Sequence, residues 1–419
     1  MKILIYQENN RGGHTDIFRT LDYGTLYTDV RNCCNSIWTN SGNKIWLQGI
    51  VSELSTNDNE IHFLESNYTW DFINEYFDAI VYSTANLFQK SYQEAIGRRT
   101  NAFNNSKIPV FVISCGAQGE LNESPREVVA GIEYTIASFL DSIYSSGGEL
   151  GLRGYFTKEA LDYVGPNTAR VIGCPSLFQN GKDLHITNEK VEPETFCAAI
   201  NGDLFSEKKL VSGNNYFIDQ GTYAEELYDA GLYELSNADF VNHCLKKFEL
   251  EKTELILKKR IRLFMDVSEW MCFLKRKNIC FSFGSRIHGN IISILGGIPS
   301  LIFPIDSRTL EMTAFYNLPV SKIRPNNITE LYEMYLQTDY SEFNKKYKNL
   351  YNDFNKFLTD CGLVKNGINE DNIFWKKEMP SNCKKIIDRS KEIEDYFFSN
   401  YRKIWIKDKI WKLRKQLMV

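Results

Sequence analysis

The sequence lacks the features of several protein classes. It has no excess of positive charge, because 49 Lys and Arg residues stand against 53 Asp and Glu residues, for a formal net charge of -4. Phosphate contacts normally require a basic surface, so a nucleic-acid-binding protein is disfavoured. No apolar run reaches the roughly 18 residues that a membrane helix needs. The first segment, MKILIYQENN, turns polar too soon for a signal peptide. We therefore expect a cytoplasmic protein.

Patterns that bind metals and dinucleotides are also missing. The ten cysteines include no CxxC pair and no regular spacing, which predicts reduced thiols rather than a disulfide framework or a zinc site. No GxGxxG sequence follows a predicted strand, so a dinucleotide cofactor is not expected. By contrast, 43% of the 419 residues are hydrophobic, which is enough for the cores of about two or three domains.

The most distinctive chemistry lies in one segment of the second half. A β-branched and aromatic run from Asn278 to Phe283 predicts a strand, which Gly284 and Ser285 end. Apolar residues at helical spacing follow, with Ser285 as the predicted N-cap, and Pro299 opens another strand. In β-α-β units of this kind, anions bind at the carboxyl ends of the strands, beside the N-terminus of the helix.

Two polar side chains fall at this predicted ligand position. Arg286 is charged at any working pH and can bind a carboxylate or phosphate through two parallel hydrogen bonds. His288 can accept or donate a proton near neutrality. If both contact one ligand, the helix must begin at about His288, because residues two apart lie nearly opposite one another on a helix. The alternative is a surface arginine and a histidine that satisfies a buried helix start. The cluster Asp306-Ser307-Arg308 after the next predicted strand favours a site.

The segment Ser285-Arg286-Ile287-His288-Gly289, followed by Asp306-x-Arg308-x-x-Glu311, resembles the polysaccharide pyruvyl transferase family. Three further segments are similar to signatures of that family and occur in the same order: CGAQG at 115–119, LRGYFT at 152–157 and GCPS at 173–176. The chain departs from the family pattern at Asn43, where the family usually has an acid, and at residues 84–86, where it often has glycines.

The resemblance implies a transferase that moves the enolpyruvyl group of phosphoenolpyruvate onto sugar hydroxyls. The product is a pyruvate ketal on a cell-surface polysaccharide such as a capsule or exopolysaccharide. Phosphoenolpyruvate is the donor substrate, and no cofactor or metal is implied. The catalytic residues would be His288, which handles the proton, and Arg286. Arg153 would hold the acidic donor with Arg286, and Arg308 is a weaker candidate. The other predicted substrate-binding residues are Ser285, Gly289, Asn43 and Gln118. A carboxylate could replace His288 as the proton donor.

Two other functions fit the same sequence. A nucleotide-sugar glycosyltransferase of the same architecture also binds phosphates at helix ends, and architecture does not separate the two enzymes. A non-catalytic carbohydrate-binding protein could have kept the fold.

Strands alternate with helices on both sides of a polar stretch, which predicts an α/β protein with two Rossmann-like domains facing a central cleft, a GT-B-like arrangement. We expect an N-terminal, acceptor-side domain over residues 1–178 and a linker over 179–194. A C-terminal, donor-side domain would cover 195–327, and a helical extension 328–419.

The last segment of the chain is basic and aromatic. Tyr401 to Val419 carries seven Lys or Arg residues against one Asp, with Trp405 and Trp411 among apolar residues. This composition suits peripheral contact with an anionic membrane. The family resemblance implies that the membrane is the inner face of the plasma membrane, where the sugar acceptor can be carried on lipid. The alternative is a terminal helix that packs on the fold through its tryptophans.

Overall fold

The computed structural model describes residues 1–6, 41–65, 67–203, 207–211, 213–220, 236, 238–239, 241–242, 260–264, 267–365, 396, 399–407 and 409–410. The final part of the predicted membrane-binding tail, from position 411 onward, lies outside the described residues, as does position 408.

The first domain contains a six-stranded sheet. Its strands are β1 (Lys2–Ile5), β2 (Glu60–Phe63), β3 (Ala79–Ser83), β4 (Val110–Cys115), β5 (Leu150–Leu152) and β6 (Arg170–Val171). They run parallel in the order β2-β1-β3-β4-β5-β6. All six residues of β4 are buried, as expected for a strand with helices on both faces of its sheet. The helices are α1 (Ser41–Leu54), α2 (Trp70–Tyr76), α3 (Gln93–Phe103), α4 (Pro125–Val129), α5 (Glu133–Ser145) and α6 (Tyr155–Val164).

The second domain contains a five-stranded sheet. Its strands are β7 (Ala198–Ile200), β8 (Tyr216–Asp219), β9 (Ile261–Leu263), β10 (Phe281–Gly284) and β11 (Ser300–Ile302). They run parallel in the order β11-β10-β7-β8-β9. The chain moves outward from β7 and then returns to β10 on the other side, so the strand order reverses between β7 and β10. Ligands of open α/β sheets bind at such a reversal. The helices are α7 (Val267–Arg276), α8 (Ile287–Leu295) and α9 (Ser307–Tyr316).

Two further helices connect the C-terminal part of the chain to both domains. The first, α10 (Ile328–Gln337), packs on the second domain, where the Tyr335 ring lies 5.3 Å from that of Phe281. The second, α11 (Ser341–Asp360), packs on the first domain and the segment after it. The Phe354 ring lies 4.8 Å from Phe178, and Asp360 accepts a 2.9 Å bond from Arg170. Among the described residues no helix is both long and apolar enough to cross a membrane.

The predicted fold class is confirmed, since both domains are parallel α/β units and the carboxyl ends of the two sheets face one another in a GT-B-like arrangement. The strands of the first sheet lie within the predicted range 1–178 and those of the second within 195–327. The domain boundaries themselves stay predictions.

A buried carboxylate joins the two domains. Glu311 on α9 accepts a 2.6 Å hydrogen bond from the Thr157 backbone N–H and a 3.0 Å bond from the Thr157 hydroxyl, both at the start of α6. The Thr157 hydroxyl oxygen in turn accepts the Ala117 N–H at 2.8 Å. Burial raises the pKa of Glu311 to about 7, against the opposing effects of the Thr157 hydrogen bonds and the charge of Arg153.

This raised pKa makes the stability of the protein depend on pH. Consider a carboxyl group whose pKa is higher in the folded state than in the unfolded state. Its contribution to stability is fully present when the pH is below the pKa of the unfolded state. That contribution is lost as the pH rises through the pKa of the folded state. For Glu311 the window runs from its ordinary value of 4.5 to about 7.

We predict that Glu311→Gln, whose amide stays neutral, flattens this dependence. Between pH 5 and pH 8 the free energy of unfolding of the unmodified protein should fall by about 2 kcal/mol more than that of the variant. Urea unfolding at the two pH values measures the difference. Glu94→Gln is the control, because the Glu94 side chain is 95% exposed, and it should behave like the unmodified protein. If the free energy of unfolding changed equally with pH in all three proteins, the proposed ionisation of Glu311 would be excluded.

Candidate active site

The predicted ligand-binding loop lies at the reversal of the second sheet. Gly284 has φ +144°, and a Cβ at this position would overlap the Asn201 carbonyl oxygen at the end of β7. Only glycine allows this close approach. The Arg286 N–H then donates a 2.8 Å hydrogen bond to the same oxygen. The loop between β10 and α8 is thereby fixed to the neighbouring strand.

The helix after this loop begins at Ile287, with Arg286 at the N-cap, so the prediction of Ser285 as the N-cap is wrong. The cause is the Asn201 contact, which keeps the backbone extended through Arg286 (φ -82°, ψ 94°). His288 is the second helical residue. No side chain caps this helix end, so its first N–H groups and the positive end of its dipole are directed at the site.

A chain of buried amides and hydroxyls holds the loop in place. Asn290, fully buried on α8, donates to the carbonyl oxygens of Gly284 at 3.0 Å and Arg286 at 3.1 Å. Its side-chain oxygen accepts the Ser282 hydroxyl at 2.7 Å, and the Ser282 oxygen accepts the Asn201 side-chain amide at 2.9 Å. These three residues are not among the predicted site residues. Their signal in the sequence is that they are polar residues in or next to an apolar strand and an apolar helix, which indicates buried hydrogen bonds.

Arg153 supplies a cation from the first domain. It follows β5, its side chain is fully buried, and its Nε donates a 3.3 Å hydrogen bond to the Ser114 hydroxyl. Both terminal nitrogens, Nη1 and Nη2, are buried and have no hydrogen-bond partner within the part of the chain that the structure describes. Ser114 has φ +65°, a left-handed conformation that is strained for a non-glycine residue. Such strain is often found at functional sites.

Arg308 supplies a second cation, which is partly buried. At the start of α9, its Nη2 donates a 3.1 Å hydrogen bond to Asp306, which is the N-cap of the same helix. Burial lowers the pKa of Arg308, as do the charges of Arg153 and Arg286, while Asp306 opposes the shift. The three predicted arginines therefore share one electrostatic environment.

His288 lies inside this positive cluster. Burial lowers its pKa well below the usual value, and the charges of Arg153 and Arg308 lower it further. Its Nε2 is 3.9 Å from the Cys174 sulfur of the first domain, so the ring lies where the two domains meet. A neutral imidazole surrounded by cations can accept a proton, and it becomes a proton donor only when an anion offsets the neighbouring charge.

The other predicted binding residues occupy different positions. Ser285 is buried beside Arg286. A Cβ on Gly289 would overlap the side chains of Asn201 and Gln220, so this glycine permits close packing of α8 against the ends of β7 and β8. Gln118 accepts a hydrogen bond from Asn86 and donates one of 3.3 Å to Asp306 of the second domain. Asn43 lies in the first turn of α1, and its side chain is outside the described part of the structure. Substrate contacts by these four residues stay predictions.

The arrangement is suited to binding a compact anion. Arg153, Arg286, Arg308 and the α8 N-terminus offer several N–H donors around one neutral imidazole. Over the described ranges no group of three or more His, Cys, Asp and Glu side chains could hold a metal ion.

Comparisons with known proteins add solved structures at low similarity. No family model matches the sequence, and no curated protein does. The UDP-GlcNAc 2-epimerase of Methanocaldococcus jannaschii, solved with UDP-GlcNAc and UDP, shares 12% identity over 86% of this chain and 100% of its own, with a TM-score of 0.42. Anabaena Alr3699/HepE, solved with UDP, shares 9% identity over 89% of this chain and 97% of its own, with a TM-score of 0.35.

A UDP-glucosyltransferase from Polygonum tinctorium capable of glucosylating indoxyl shares 9% identity over 90% of this chain and 99% of its own, with a TM-score of 0.32. At these values the ligands and activities of the three proteins describe those proteins alone.

Proposed function

We propose that this protein is a pyruvyl transferase that uses phosphoenolpyruvate to form a pyruvate ketal on a sugar of a cell-surface polysaccharide. The observation that carries the proposal is Arg153, a fully buried cation whose two terminal nitrogens have no hydrogen-bond partner among the described residues. Removing a charge from water costs several kcal/mol unless it is paired. A bound anion would offset that cost, so the site is built for a ligand that carries negative charge.

Phosphoenolpyruvate carries anionic groups that guanidinium groups can bind. Its carboxylate and its phosphate are attached to the same carbon, and each can accept paired hydrogen bonds from a guanidinium group. Arg153 approaches from the first domain, and Arg286 and Arg308 from the second. A donor held from both sides has its reactive carbon at the domain interface, where a sugar can reach it.

His288 has a defined task in this reaction. Burial, together with the charges of Arg153 and Arg308, holds the pKa of His288 low, and a polyanionic donor would offset the charges of the arginines and raise that pKa. The imidazolium so formed protonates the methylene carbon of the donor. A sugar hydroxyl then adds to the cationic carbon, phosphate leaves with the electrons of its C–O bond, and a second hydroxyl closes the ketal. The neutral imidazole accepts the proton of the first hydroxyl, and the departing phosphate takes the proton of the second. General acid-base steps of this kind contribute about 10²- to 10⁴-fold in rate.

A nucleotide-sugar glycosyltransferase is the second candidate. The uncapped N-terminus of α8 lies at the strand-order reversal of the second sheet, which is also where the diphosphate of a nucleotide binds in α/β proteins. The two candidates differ in the size of the donor, so ligand binding separates them.

We predict that phosphoenolpyruvate raises the melting temperature of the protein and that UDP-sugars do not. A ligand at 100 times its dissociation constant stabilises a protein by about 2.7 kcal/mol. Arg153→Met should abolish this shift and also raise the melting temperature of the ligand-free protein, because it replaces a buried cation with an apolar side chain of similar length. Arg98→Met is the control, since Arg98 is half exposed, and both effects should be absent.

His288→Gln should keep donor affinity within several-fold and lower kcat by about 10²-fold or more, because a proton carrier acts mainly in the transition state. Turnover is measured as phosphate released from phosphoenolpyruvate in the presence of sugar acceptors. Stabilisation by UDP-sugars alone would replace the proposal with the glycosyltransferase. Turnover of His288→Gln near that of the unmodified protein would remove histidine from the mechanism.

We also propose that the C-terminal segment brings the enzyme to an anionic membrane surface. Residues 399–407 are helical, and Ile404, 8% exposed, packs into the core of the second domain. Trp405, Ile406 and Ile410 are 41 to 46% exposed, and the exposed cations around them are Arg402, Lys403, Lys407 and Lys409. One side of the helix is thus held on the fold while another combines apolar and basic side chains.

We predict salt-sensitive binding to vesicles that contain anionic lipid, with cations contributing about 1 kcal/mol each. Replacing Lys403, Lys407 and Lys409 with Gln should therefore weaken binding by about 100-fold, measured by sedimentation with vesicles at low and high salt. The matched control replaces three exposed lysines of α11, Lys345, Lys348 and Lys356, with Gln. Equal binding by both triple variants would show that the terminal helix has a structural role only.

A further inference from the structure

A cavity lies at the domain interface, beside the cationic cluster formed by Arg153, Arg286 and Arg308 around His288. It has a volume of about 410 Å³, within the range of roughly 300 to 1,000 Å³ that is typical of small-molecule sites. We call it the acidic cavity and define it by the residues that line it: Gln89, Lys90, Ser91, Gln118, Gly119, Glu120, Glu123, Val128, Ile305 and Asp306.

The walls of the acidic cavity come from both domains and are joined by hydrogen bonds. The Gly119 N–H donates to the Ser307 hydroxyl at 2.8 Å, and the Ser307 N–H donates to the Gly119 carbonyl oxygen at 3.0 Å. A Cβ on Gly119 would overlap Val128 and come within 2.5 Å of a Glu123 carboxylate oxygen. Glycine at this position therefore allows Val128 and Glu123 to pack closely against the backbone. The cavity is lined by residues of both domains and depends on the contact between them.

The polar groups of the acidic cavity are suited to a ligand with many hydroxyl groups. The carboxylates of Glu120 and Glu123 can accept hydrogen bonds from the hydroxyls of a ligand, while the amides of Gln89 and Gln118 can donate as well as accept. Val128 and Ile305 add an apolar surface against which the C–H face of a sugar ring can pack.

The charge of the acidic cavity is opposite to that of the neighbouring cluster. Asp306 is ion-paired with Arg308, and Glu120 and Glu123 against one lysine leave the cavity negative, which disfavours phosphates, nucleotides and uronic acids. The link between the two sites is Asp306. Its Oδ2 accepts from Gln118, which lines the cavity, and from Arg308, which belongs to the cationic cluster. A hydroxyl bound near Asp306 would thus lie next to the anion site.

We propose that the acidic cavity binds the acceptor, a neutral or amino sugar unit, and directs its hydroxyls past Asp306 toward the donor. This inference rests on the proposed function, because the cationic cluster is taken as the donor site. Opposite charges then sort the two substrates, since the anionic donor is repelled from one site and a neutral sugar gains little from the other.

Saturation-transfer NMR on the full chain tests the proposal without requiring turnover. The probes are a methyl hexopyranoside and the corresponding methyl uronopyranoside, each with and without phosphoenolpyruvate. The unmodified protein should transfer saturation to the neutral glycoside and at least 10-fold less to the uronate. Ser91→Trp, at an exposed lining position, should fill the cavity and weaken binding of the neutral glycoside at least 10-fold. Stabilisation by phosphoenolpyruvate should stay unchanged in this variant.

Two charge variants complete the test. Glu120→Lys brings the cavity to two carboxylates and two lysines and should reduce the discrimination against the uronate. Glu94→Lys makes the same charge change on the exposed face of α3 and should leave the discrimination against the uronate unchanged. Binding of the neutral glycoside to Ser91→Trp within twofold of the unmodified protein would overturn the proposal, as would no binding to the unmodified protein. A third outcome is that Ser91→Trp loses glycoside binding, while phosphoenolpyruvate changes neither the melting temperature nor the glycoside binding of the unmodified protein. This would support the cavity as a sugar site and overturn the assignment of the cationic cluster as the donor site.

Discussion

Arg153 carries its guanidinium group into the contact between the two domains, where water does not reach it, and much of the surrounding structure serves this one charge. Ser114 adopts a left-handed backbone conformation and holds the Nε atom. Arg308 lies close to Arg153, and both lie close to His288. The region therefore has an excess of positive charge and a low dielectric constant. Such an arrangement persists only where the rest of the fold over-determines it.

The contacts that hold this arrangement of charges in place cross the domain interface. Glu311 is bonded to the start of α6, the Tyr316 hydroxyl donates to the Cys174 carbonyl oxygen at 2.8 Å, and Gly119 pairs with Ser307. These bonds hold the carboxyl ends of the two sheets together. The same bonds fix the relative positions of the cationic cluster and the acidic cavity.

Local chemistry in the sequence was sufficient to predict much of this architecture. The strand, turn and helix around Arg286 and His288 follow from β-branched runs, paired glycines and helical spacing, and the parallel α/β class follows from their repetition. Strands β2 and β9 have no clear signal in the sequence because both are edge strands, EIHF and IRL, whose charged residues interrupt the apolar pattern. The segment from Pro125 to Tyr144, which begins with a capping box, predicts a single helix, but Gly131, with φ +88°, divides it into α4 and α5.

The long-range parts of the site have no local signal. Thr157 and Glu311 are 154 residues apart in the chain, and Gln118 and Asp306 are 188 apart. Each looks like an ordinary helix-start or loop residue in sequence, and only the packing of two domains gives it a partner. The terminal nitrogens of Arg153 have no hydrogen-bond partner among the described residues, and burial lowers the pKa of His288; both results depend on residues far away along the chain.

The path of α11 bears on how the protein is made. This helix follows both sheets in the chain, yet Phe354 packs against Phe178, and a Cβ on Gly151 would approach the Phe357 ring to 3.2 Å. The first domain therefore lacks part of its core until residues near 360 have left the ribosome, long after β6 has been synthesised. At about 5 to 20 residues per second, this delay lasts roughly 10 to 40 s. During that time the apolar surface around Phe178 is open to chaperones, and the N-terminal half completes its folding only after the C-terminal half has been made.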